Sequence, residues 1–579
     1  MRIKHFFGLA VLAAMTASCS SNNDLVNGGG NGENETGASY ASFSINLPTT
    51  RGTRAGNDPE FNKGTTNEYD VYNATLLVFK KGTTAGEGNY TLAEQVDLGS
   101  MEPWKSSSET GVTTQAKITA KLSKVDKSGD YFALVLLNNG SGTDAKVTLP
   151  SEGDTFSAWN VATNANATNF TDTKKGFYMA NAPLYNATDK SVTTLVAIDK
   201  NKIFPTEAQA SSGEAAADIY VERGLAKVTL TAATKDKKTV DASSSYAGDE
   251  VTISNWALDV TNKKTFPIHN VDGLSTDYEN IWKNEAAAAP STQRFVDNSE
   301  AIAKRVYWGT DPNYKETTLS GETTESKNAR KENFNYVKKG DLTADPTAPQ
   351  YCLENTFNLT NMVQGQTTRV VFKGTYTPKS ITLDENGTFY KIGKNVALWN
   401  SEDLKKHIVA AVTKVVADAS AEGATTTITL KGSDNDLTTA GNRMLKASNI
   451  TVKKATGDVV TLQTEDVQAI NDKLGLSEGY GISTYEKGES YYIARIKHFG
   501  DALTPWKSGV YGDKNLEYLG RYGMLRNNWY ELDVQSVSGP GYPDVPDVKP
   551  NTPDDEDDKY IKVSVKILDW AKRSQSVDL

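Results

Sequence analysis

The sequence predicts a large, mostly β protein made of tandem β-sandwich domains, and three observations support this. The chain has 579 residues, which is enough for about two to four domains with separate cores. Short runs rich in β-branched and aromatic residues recur along it, separated by clusters of Gly, Asn, Asp and Ser. Segments that alternate between apolar and polar residues also lie near both ends. The predicted internal strands are residues 71–79, 131–137, 219–230, 251–260, 368–376, 425–430, 491–497 and 529–537.

The beginning of the chain has the pattern of an export signal. Arg2 and Lys4 precede an apolar run at residues 6–15, and small residues lead into Cys19. The run is about ten residues long, whereas a membrane-spanning helix needs about 20. A Cys in this place resembles the acylation site of a lipoprotein. We therefore predict a signal peptide at residues 1–18 and a lipid such as palmitate on Cys19; an ordinary signal followed by an unmodified Cys is the alternative.

A strand with one apolar and one polar face follows the signal. Its apolar side chains alternate with Ser42, Ser44 and Asn46, so every second side chain points the same way. We predict an edge strand that fills a groove of the fold. Its apolar face consists of Ala41, Phe43, Ile45 and Leu47.

A short polar loop with two arginines comes directly after this strand. Residues 49–57 combine glycine with small polar side chains, which is the composition of exposed loop tips that proteases cut. We predict that the loop around Arg51 and Arg54 is open to a protease. The alternative interpretation is that both arginines are ordinary solvated side chains, as most arginines are.

Two segments have helical periodicity. Residues 401–419 carry an apolar stripe, and the acidic residues at their beginning suit the positive end of a helix. Residues 464–474 carry a second stripe and stop before Gly475, a typical helix end. We predict two helices that pack on a sheet and take no part in catalysis.

The C-terminal part of the chain changes composition at residue 538. Residues 538–559 contain five prolines and an acidic run, which cannot form a core, so we predict an extended linker. Such a linker spans about 3.1 Å per residue. Residues 560–579 follow it, with apolar side chains that alternate with lysine and serine. This second edge strand is predicted to reach a neighbouring molecule through Ile561, Val563, Val565 and Ile567.

Composition argues against catalysis and against nucleic acid as a partner. The formal net charge is -10, and only 4 histidines occur. The cysteines are Cys19 and Cys352, so acylation of the first leaves no partner for an internal disulfide. Motifs of zinc proteases, dithiol oxidoreductases, serine hydrolases and phosphate-binding loops are missing from the sequence. We predict no enzyme activity, no metal site and no cofactor.

Five segments of the chain carry motifs that are specific when they occur in this order. They are residues 40–55, which run into Thr-Arg-Ala-Gly, Val-Glu-Arg-Gly-Leu-Ala-Lys-Val at 221–228, Leu-Glu-Asn-Thr at 353–356, Leu-Arg-Asn-Asn-Trp-Tyr at 525–530, and Val-Ser-Val-Lys-Ile-Leu-Asp-Trp at 563–570. These motifs resemble those of the type V fimbrillins, and over most of its length the chain is similar to the major shaft subunit of the short fimbria of Gram-negative anaerobes. Residues 261–349 and 435–488 do not align with the family.

The resemblance implies a fold and an assembly route. The fold is two transthyretin-like β-sandwiches, at residues 55–224 and 225–537, followed by the linker at 538–559 and a donor strand at 560–579. The precursor would be an outer-membrane lipoprotein with a lipidated propeptide at residues 19–54, whose strand serves as a self-strand. An extracellular Arg-specific protease would cut between Arg54 and Ala55, with Arg51 as the alternative site. The donor strand would carry Ile561, Val563, Val565, Ile567 and Trp570.

The resemblance also implies partners and leaves alternatives open. Other copies of the chain would form a fimbrium on the cell surface that supports adhesion and virulence. Tip and anchor proteins, and host or bacterial surface ligands, would be further partners. One alternative is a monomeric glycan-binding surface lipoprotein, because exposed aromatics among 9 Trp and 26 Tyr would stack on sugars. The other alternative is a tip or anchor subunit, although a tip subunit would not need a donor strand and an anchor would keep its lipidated strand uncut.

Overall fold

The computed structural model describes residues 38–47, 61–62, 68–99, 115–172, 175–186, 188, 191–272, 295, 303–499, 504, 519–554 and 561–570. The predicted signal peptide, Cys19, Arg51, Arg54 and Ala55 lie outside these residues. The described chain is mostly β, with apolar cores between and around its sheets, as predicted. Among the described residues, no helix is long and apolar enough to cross a membrane.

The N-terminal domain is built on one eight-stranded sheet that encloses a core. Side chains from strands at both ends of the sheet meet in this core, including Leu98 and Leu122. The two ends are also tied together, because the Ser123 amide donates to the Glu94 carboxylate over 2.9 Å. In spatial order the strands are Thr91–Gly99, Ala74–Lys80, Tyr131–Leu137, Met179–Asn181, Ala217–Arg223, Ser39–Asn46 and Gln115–Leu122, with Val196–Ala197 paired to Tyr131–Leu137.

The C-terminal domain is a sandwich of two sheets. Trp256, Phe372, Tyr492 and Tyr530 fill the core between them, and all four side chains are buried. One sheet contains Phe61–Asn62, Ile561–Trp570, Asn528–Val537, Ala226–Leu230 and Gln350–Cys352. The other contains Lys238–Thr239, Glu250–Asp259, Arg369–Thr377 and Glu489–Arg495.

A smaller α/β lobe with its own core is inserted between two strands of the C-terminal sandwich. Its two helices are Ser401–Val415 and Thr464–Lys473, close to the predicted ranges. The first is capped by the Asn400 side chain, which accepts from the Asp403 amide over 2.8 Å. The helices cover strands Phe389–Ile392, Leu398–Trp399, Thr425–Ile428, Gly441–Arg443, Ile450–Lys453, Val459–Val460 and Ile482–Tyr485. The sequence predicted these helices but not that they belong to a separate core.

Short elements connect the main sheets. The remaining strands are Thr163–Asn164, Thr171–Asp172, Gly176–Phe177, Leu184–Asn186, Val192–Thr193, Thr261–Asn262, Lys264–Thr265, Ala303–Arg305 and Phe334–Asn335. The remaining α-helices are Phe156–Trp159, Ala167–Phe170, Glu207–Ser212 and Thr324–Asn333.

One predicted strand is two strands in the structure. Residues 219–230 were expected to be continuous, but Ala217–Arg223 belongs to the N-terminal sheet and Ala226–Leu230 to the C-terminal sandwich. The break falls at Gly224, where an added Cβ would lie 2.9 Å from the Tyr178 ring. The chain therefore crosses from one domain to the other at a point where only glycine fits.

The Pro-rich segment differs from a freely extending linker. Residues 538–554, which we call the strap, lie along the C-terminal domain. Tyr542 exchanges two backbone hydrogen bonds with Tyr491, each 2.8 Å long, and Arg369 donates to the Pro546 carbonyl over 2.7 Å. Proline lacks an N–H group but keeps its carbonyl, so a buried arginine can still hold the chain.

Candidate functional site

The predicted N-terminal strand lies inside the N-terminal sheet, between two paired strands and next to the last strand of the sheet. Ser39–Asn46, which we call the leading strand, runs antiparallel to Gln115–Leu122 and parallel to Ala217–Arg223. The expectation of an edge strand is therefore wrong, because both backbone edges are hydrogen-bonded within the sheet. The four apolar side chains point into the core and are at most 1% exposed: Ala41, Phe43, Ile45 and Leu47.

The polar face of the leading strand is also covered. Ser42 and Ser44 are 0% and 5% exposed, although their hydroxyls would suit solvent. Ser44 accepts a hydrogen bond from the Gln115 side chain over 2.6 Å. Ser42 is covered by residues 204–216, which we call the arch and which contain the short helix Glu207–Ser212. No sequence pattern indicates this cover, because the arch lies far along the chain from the leading strand.

The arch is bonded to the leading strand near one end of that strand. Tyr40 and Phe204 exchange two backbone hydrogen bonds, 2.7 and 2.8 Å long. The Ala216 amide donates to the Ser42 carbonyl over 2.6 Å, where the arch enters the next strand of the sheet. The arch thus starts and finishes on the same side of the leading strand.

The middle of the arch is anchored on the other side. Lys117 Nζ donates to the Ser211 carbonyl over 2.9 Å and also to the Gly213 carbonyl. The hydroxyls of Thr119 and Ser211 lie 2.9 Å apart. Because Lys117 and Thr119 belong to the strand beyond the leading strand, the arch passes over the leading strand and closes on its far neighbour.

Charge at the arch is acidic on its exposed side. Glu214 pairs with Lys202 over 2.9 Å, and the hydrogen bond from Lys202 holds the pKa of Glu214 below its usual value. Asp218, directly after the arch, is exposed and lies opposite Ser44 in the sheet register. The leading strand is thus enclosed by a core, two strands and a cover with exposed carboxylates.

The predicted C-terminal strand forms, and it pairs with its own chain. Ile561–Trp570, which we call the terminal strand, runs antiparallel to Asn528–Val537. Its predicted apolar positions fall opposite buried residues of that neighbour, with Val565 opposite Leu532 and Ile567 opposite Tyr530. Ile561 and Val563 fall opposite Val537 and Val534, and Trp570 falls opposite Asn62. In this state the terminal strand completes its own subunit's sheet.

The arginine loop connects the leading strand to the sheet that contains the terminal strand. The described chain leaves the leading strand at Leu47 and returns at Phe61–Asn62, which pairs in parallel with the end of the terminal strand. Arg51 and Arg54 lie on the connection, outside the described residues. A cut there would separate the leading strand from the rest of the chain.

Buried ion pairs hold the domains and the strap in place. At the domain junction, Glu68 accepts from Lys227 over 2.7 Å and from the Tyr351 hydroxyl over 2.6 Å. Burial lowers the pKa of Lys227 and raises the pKa of Tyr351. The strap is pinned at its end, where Asp554 is 1% exposed and lies 3.4 Å from Arg495.

The cysteine and histidine side chains, which are often catalytic or metal-binding in other proteins, have structural roles in the described part of this chain. Cys352 is buried, and burial raises the pKa of its thiol to about 12. His498 Nδ1 is 2.8 Å from the Tyr530 hydroxyl, and His407 stacks on Trp399. Within the described residues, no group of three or more His, Cys, Asp or Glu side chains is placed to hold a metal ion.

Comparisons with known proteins identify the C-terminal region. Residues 483–576 match the family described as major fimbrial subunit protein type IV, fimbrillin, C-terminal. A crystal structure of a candidate cell adhesion protein from Parabacteroides distasonis ATCC 8503 covers 93% of this chain and 99% of that chain, with 11% sequence identity and a TM-score of 0.37. A comparison with curated proteins finds no match.

The family match gives the class that the C-terminal region resembles. Residues 483–576 are similar to the C-terminal region of fimbrial subunits, and the matched family is not a family of enzymes.

Proposed function

We propose that this protein is the shaft subunit of a surface fimbrium, assembled by exchange of strands between copies after an Arg-specific protease cuts a lipoprotein precursor. One observation carries the proposal: the leading strand is buried on every side in the N-terminal sheet and is joined to the body through the arginine loop. Its removal would leave a groove with apolar walls and two unpaired strand edges. Such a groove binds another strand by β-augmentation.

The cut acts by changing an effective concentration. While the leading strand is covalently attached, it occupies its groove at a local concentration that a strand from another molecule cannot match. Cleavage between Arg54 and Ala55 removes that advantage. Arg51 is the alternative cut site on the same loop.

The terminal strand of a neighbour is the incoming strand. Its four apolar positions, Ile561, Val563, Val565 and Ile567, match the four that the leading strand vacates, and Trp570 lies further along the strand. Burial of four such side chains contributes about 6–12 kcal/mol in total. The terminal strand must first leave its own sheet, so the net free-energy gain of exchange is smaller than this sum. The driving force that remains is the filling of a groove that would otherwise be empty.

The lipid belongs to the removed piece in this scheme. Acylated Cys19 would hold the precursor at the outer membrane, and cleavage would separate the body from its lipid. The subunit would then stay at the cell through its neighbours, down to an anchor protein. Tip proteins and surface ligands would meet the other end of the fimbrium.

The presence of both a cut site and a donor strand favours a shaft role over a tip or anchor role. A tip subunit has no need of a donor strand, and an anchor would retain its lipidated strand. Glycan binding is less supported, because Tyr220 and Tyr480 are the only exposed aromatic side chains among the described residues.

The test replaces both arginines of the loop. The variant Arg51→Ala with Arg54→Ala should fold, reach the surface and remain monomeric, whereas wild type should begin at Ala55 and form detergent-resistant ladders. Mass spectrometry of surface protein and gel electrophoresis report the two properties. Arg54→Lys with Arg51→Lys is the matched control, since it keeps the charge but not the Arg specificity. Ladders from the Ala variant equal to those of wild type would show that cleavage is not the trigger.

A further inference from the structure

The arch covers the outer face of the groove that holds the leading strand. Strand binding in an apolar groove does not need such a cover. The leading strand already has its apolar face in the core and both edges in the ladder. The arch adds a limit on the size of side chains on the outer face. Ser42 meets this limit, since it is 0% exposed and its hydroxyl lies 3.5 Å from the Glu214 carbonyl of the arch.

The terminal strand carries different side chains on that face. When its four apolar residues take the four inner positions, Ser564 takes the place of Ser44, whichever direction the strand runs. A lysine, either Lys562 or Lys566, then takes the place of Ser42, which is 0% exposed. The other lysine takes the place of Asn46, which is partly exposed. The resident strand therefore fits under the closed arch, and the donor strand does not.

We propose that the arch is a gate that selects between the two strands. When the arch is closed, it retains the leading strand and excludes the terminal strand of a second copy. For exchange, the arch must open on the side of Lys117 and Thr119. This inference rests on the proposed function. Burial of a lysine ammonium under closed backbone is strongly unfavourable. With the arch open, the long lysine side chain extends to the exposed carboxylates of Glu214 and Asp218.

The anchoring contacts of the arch make the gate weak enough to open. On the far side it is held by Lys117 and by the pair of Thr119 and Ser211 hydroxyls. Each such hydrogen bond is formed in exchange for one with water, so little is lost when the arch lifts. The arch has one fully buried residue in its helix, Ala210, which limits its apolar attachment.

A reversible covalent lock tests the gate directly. Thr119→Cys with Ser211→Cys replaces two side chains whose hydroxyl oxygens lie 2.9 Å apart, so that the two sulfur atoms would face each other across the closed arch. The purified full chain is cut with an Arg-specific protease and mixed with a fluorescent peptide of residues 560–579. The reduced form should release the leading piece and take up the peptide. The oxidised form should retain the leading piece and exclude the peptide until a reductant is added.

Two controls separate the gate from the exchange itself. Each single cysteine variant under oxidising conditions should behave as wild type. A peptide with Lys562→Ser and Lys566→Ser should enter the reduced protein faster than the wild-type peptide, because it fits the closed arch.

Each contrary result has its own meaning. Uptake by the oxidised form at the rate of the reduced form would overturn the gate, and equal rates for the two peptides would overturn its selectivity. If wild type, single variants and reduced double variant all fail to take up peptide after cleavage, strand exchange itself is wrong, and the gate with it.

Discussion

At the residue scale, the charged side chains buried at the domain junction depend most strongly on their partners. Glu68 accepts from Lys227 and Tyr351, and its backbone carbonyl accepts from Arg223 Nε over 2.7 Å. The Lys227 ammonium also lies 3.5 Å from the centre of the Trp529 ring. A buried charge without its partner is far more costly than a pair. These residues therefore depend on one another.

Loss of Glu68 should destabilise the protein strongly. In Glu68→Gln the Lys227 ammonium keeps its burial but loses its counter-ion, so the unfolding free energy should fall by about 3–5 kcal/mol. The urea midpoint at constant slope measures this change.

A surface pair provides the matched control for this substitution. Lys124 and Glu152 form an ion pair whose side chains are 49% and 64% exposed. Glu152→Gln should change the unfolding free energy by less than about 0.5 kcal/mol, because water screens the pair. Equal effects of the two substitutions would mean that the junction is hydrated and that Glu68 is not a required partner.

At the scale of single elements, the leading and terminal strands differ in position although their sequence patterns are alike. The leading strand is internal, with a long neighbour on both sides. The terminal strand has a long neighbour on one side, Asn528–Val537, and only Phe61–Asn62 on the other. The terminal strand is therefore the one that can leave without opening a sheet in the middle.

Deletion of residues 560–579 should leave a folded monomer that does not assemble. Asn528–Val537 would become an edge but would stay paired with Ala226–Leu230. Deletion of residues 39–47 is the contrasting variant: it leaves the groove of the N-terminal sheet empty, so the monomer should be less stable than wild type and should assemble without cleavage. Circular dichroism melting and size-exclusion chromatography after cleavage report fold and assembly. An unfolded terminal truncation would place that strand in its own subunit's core and exclude donation.

At the scale of the whole molecule, the N-terminal and C-terminal domains share an apolar cluster. The outer face of the N-terminal sheet, with Leu77 and Leu134, packs in one apolar cluster with Leu225, Leu353 and Trp529 of the C-terminal domain. The chain crosses between the domains beside this cluster. A shared cluster couples the stability of the two domains, so that they should unfold together.

Trp529→Ala should weaken both domains at once. The expected loss is about 3–5 kcal/mol, since a large buried side chain leaves a cavity. Hydrogen exchange should then accelerate in Tyr131–Leu137 of the N-terminal sheet as well as in Asn528–Val537. Val452→Ala, in the core of the α/β lobe, is the control and should affect that lobe alone. Unchanged protection in Tyr131–Leu137 would show that the domains unfold independently.

Local sequence patterns were sufficient to predict the type and position of several strands and helices. Runs rich in β-branched and aromatic residues predicted the strands at 131–137 and 529–537 to within one residue, and apolar stripes predicted both helices of the α/β lobe. These features depend on side chains a few residues apart, which the sequence shows directly. The same patterns did not show the break at Gly224, because it results from contact with Tyr178.

The sequence by itself determined that two amphipathic strands lie near the ends of the chain, that an arginine loop follows the first, and that the pattern of motifs resembles fimbrillins. Only the tertiary structure decided that the leading strand is internal to its sheet, that the strap is held by buried Arg369 and Arg495, and that the polar face of the leading strand is covered. The alternation of apolar and polar residues indicates which face of a strand a side chain is on, but not which residues it contacts. Ser42 meets Glu214, 172 residues later, and such a contact exists only once the sheet has formed.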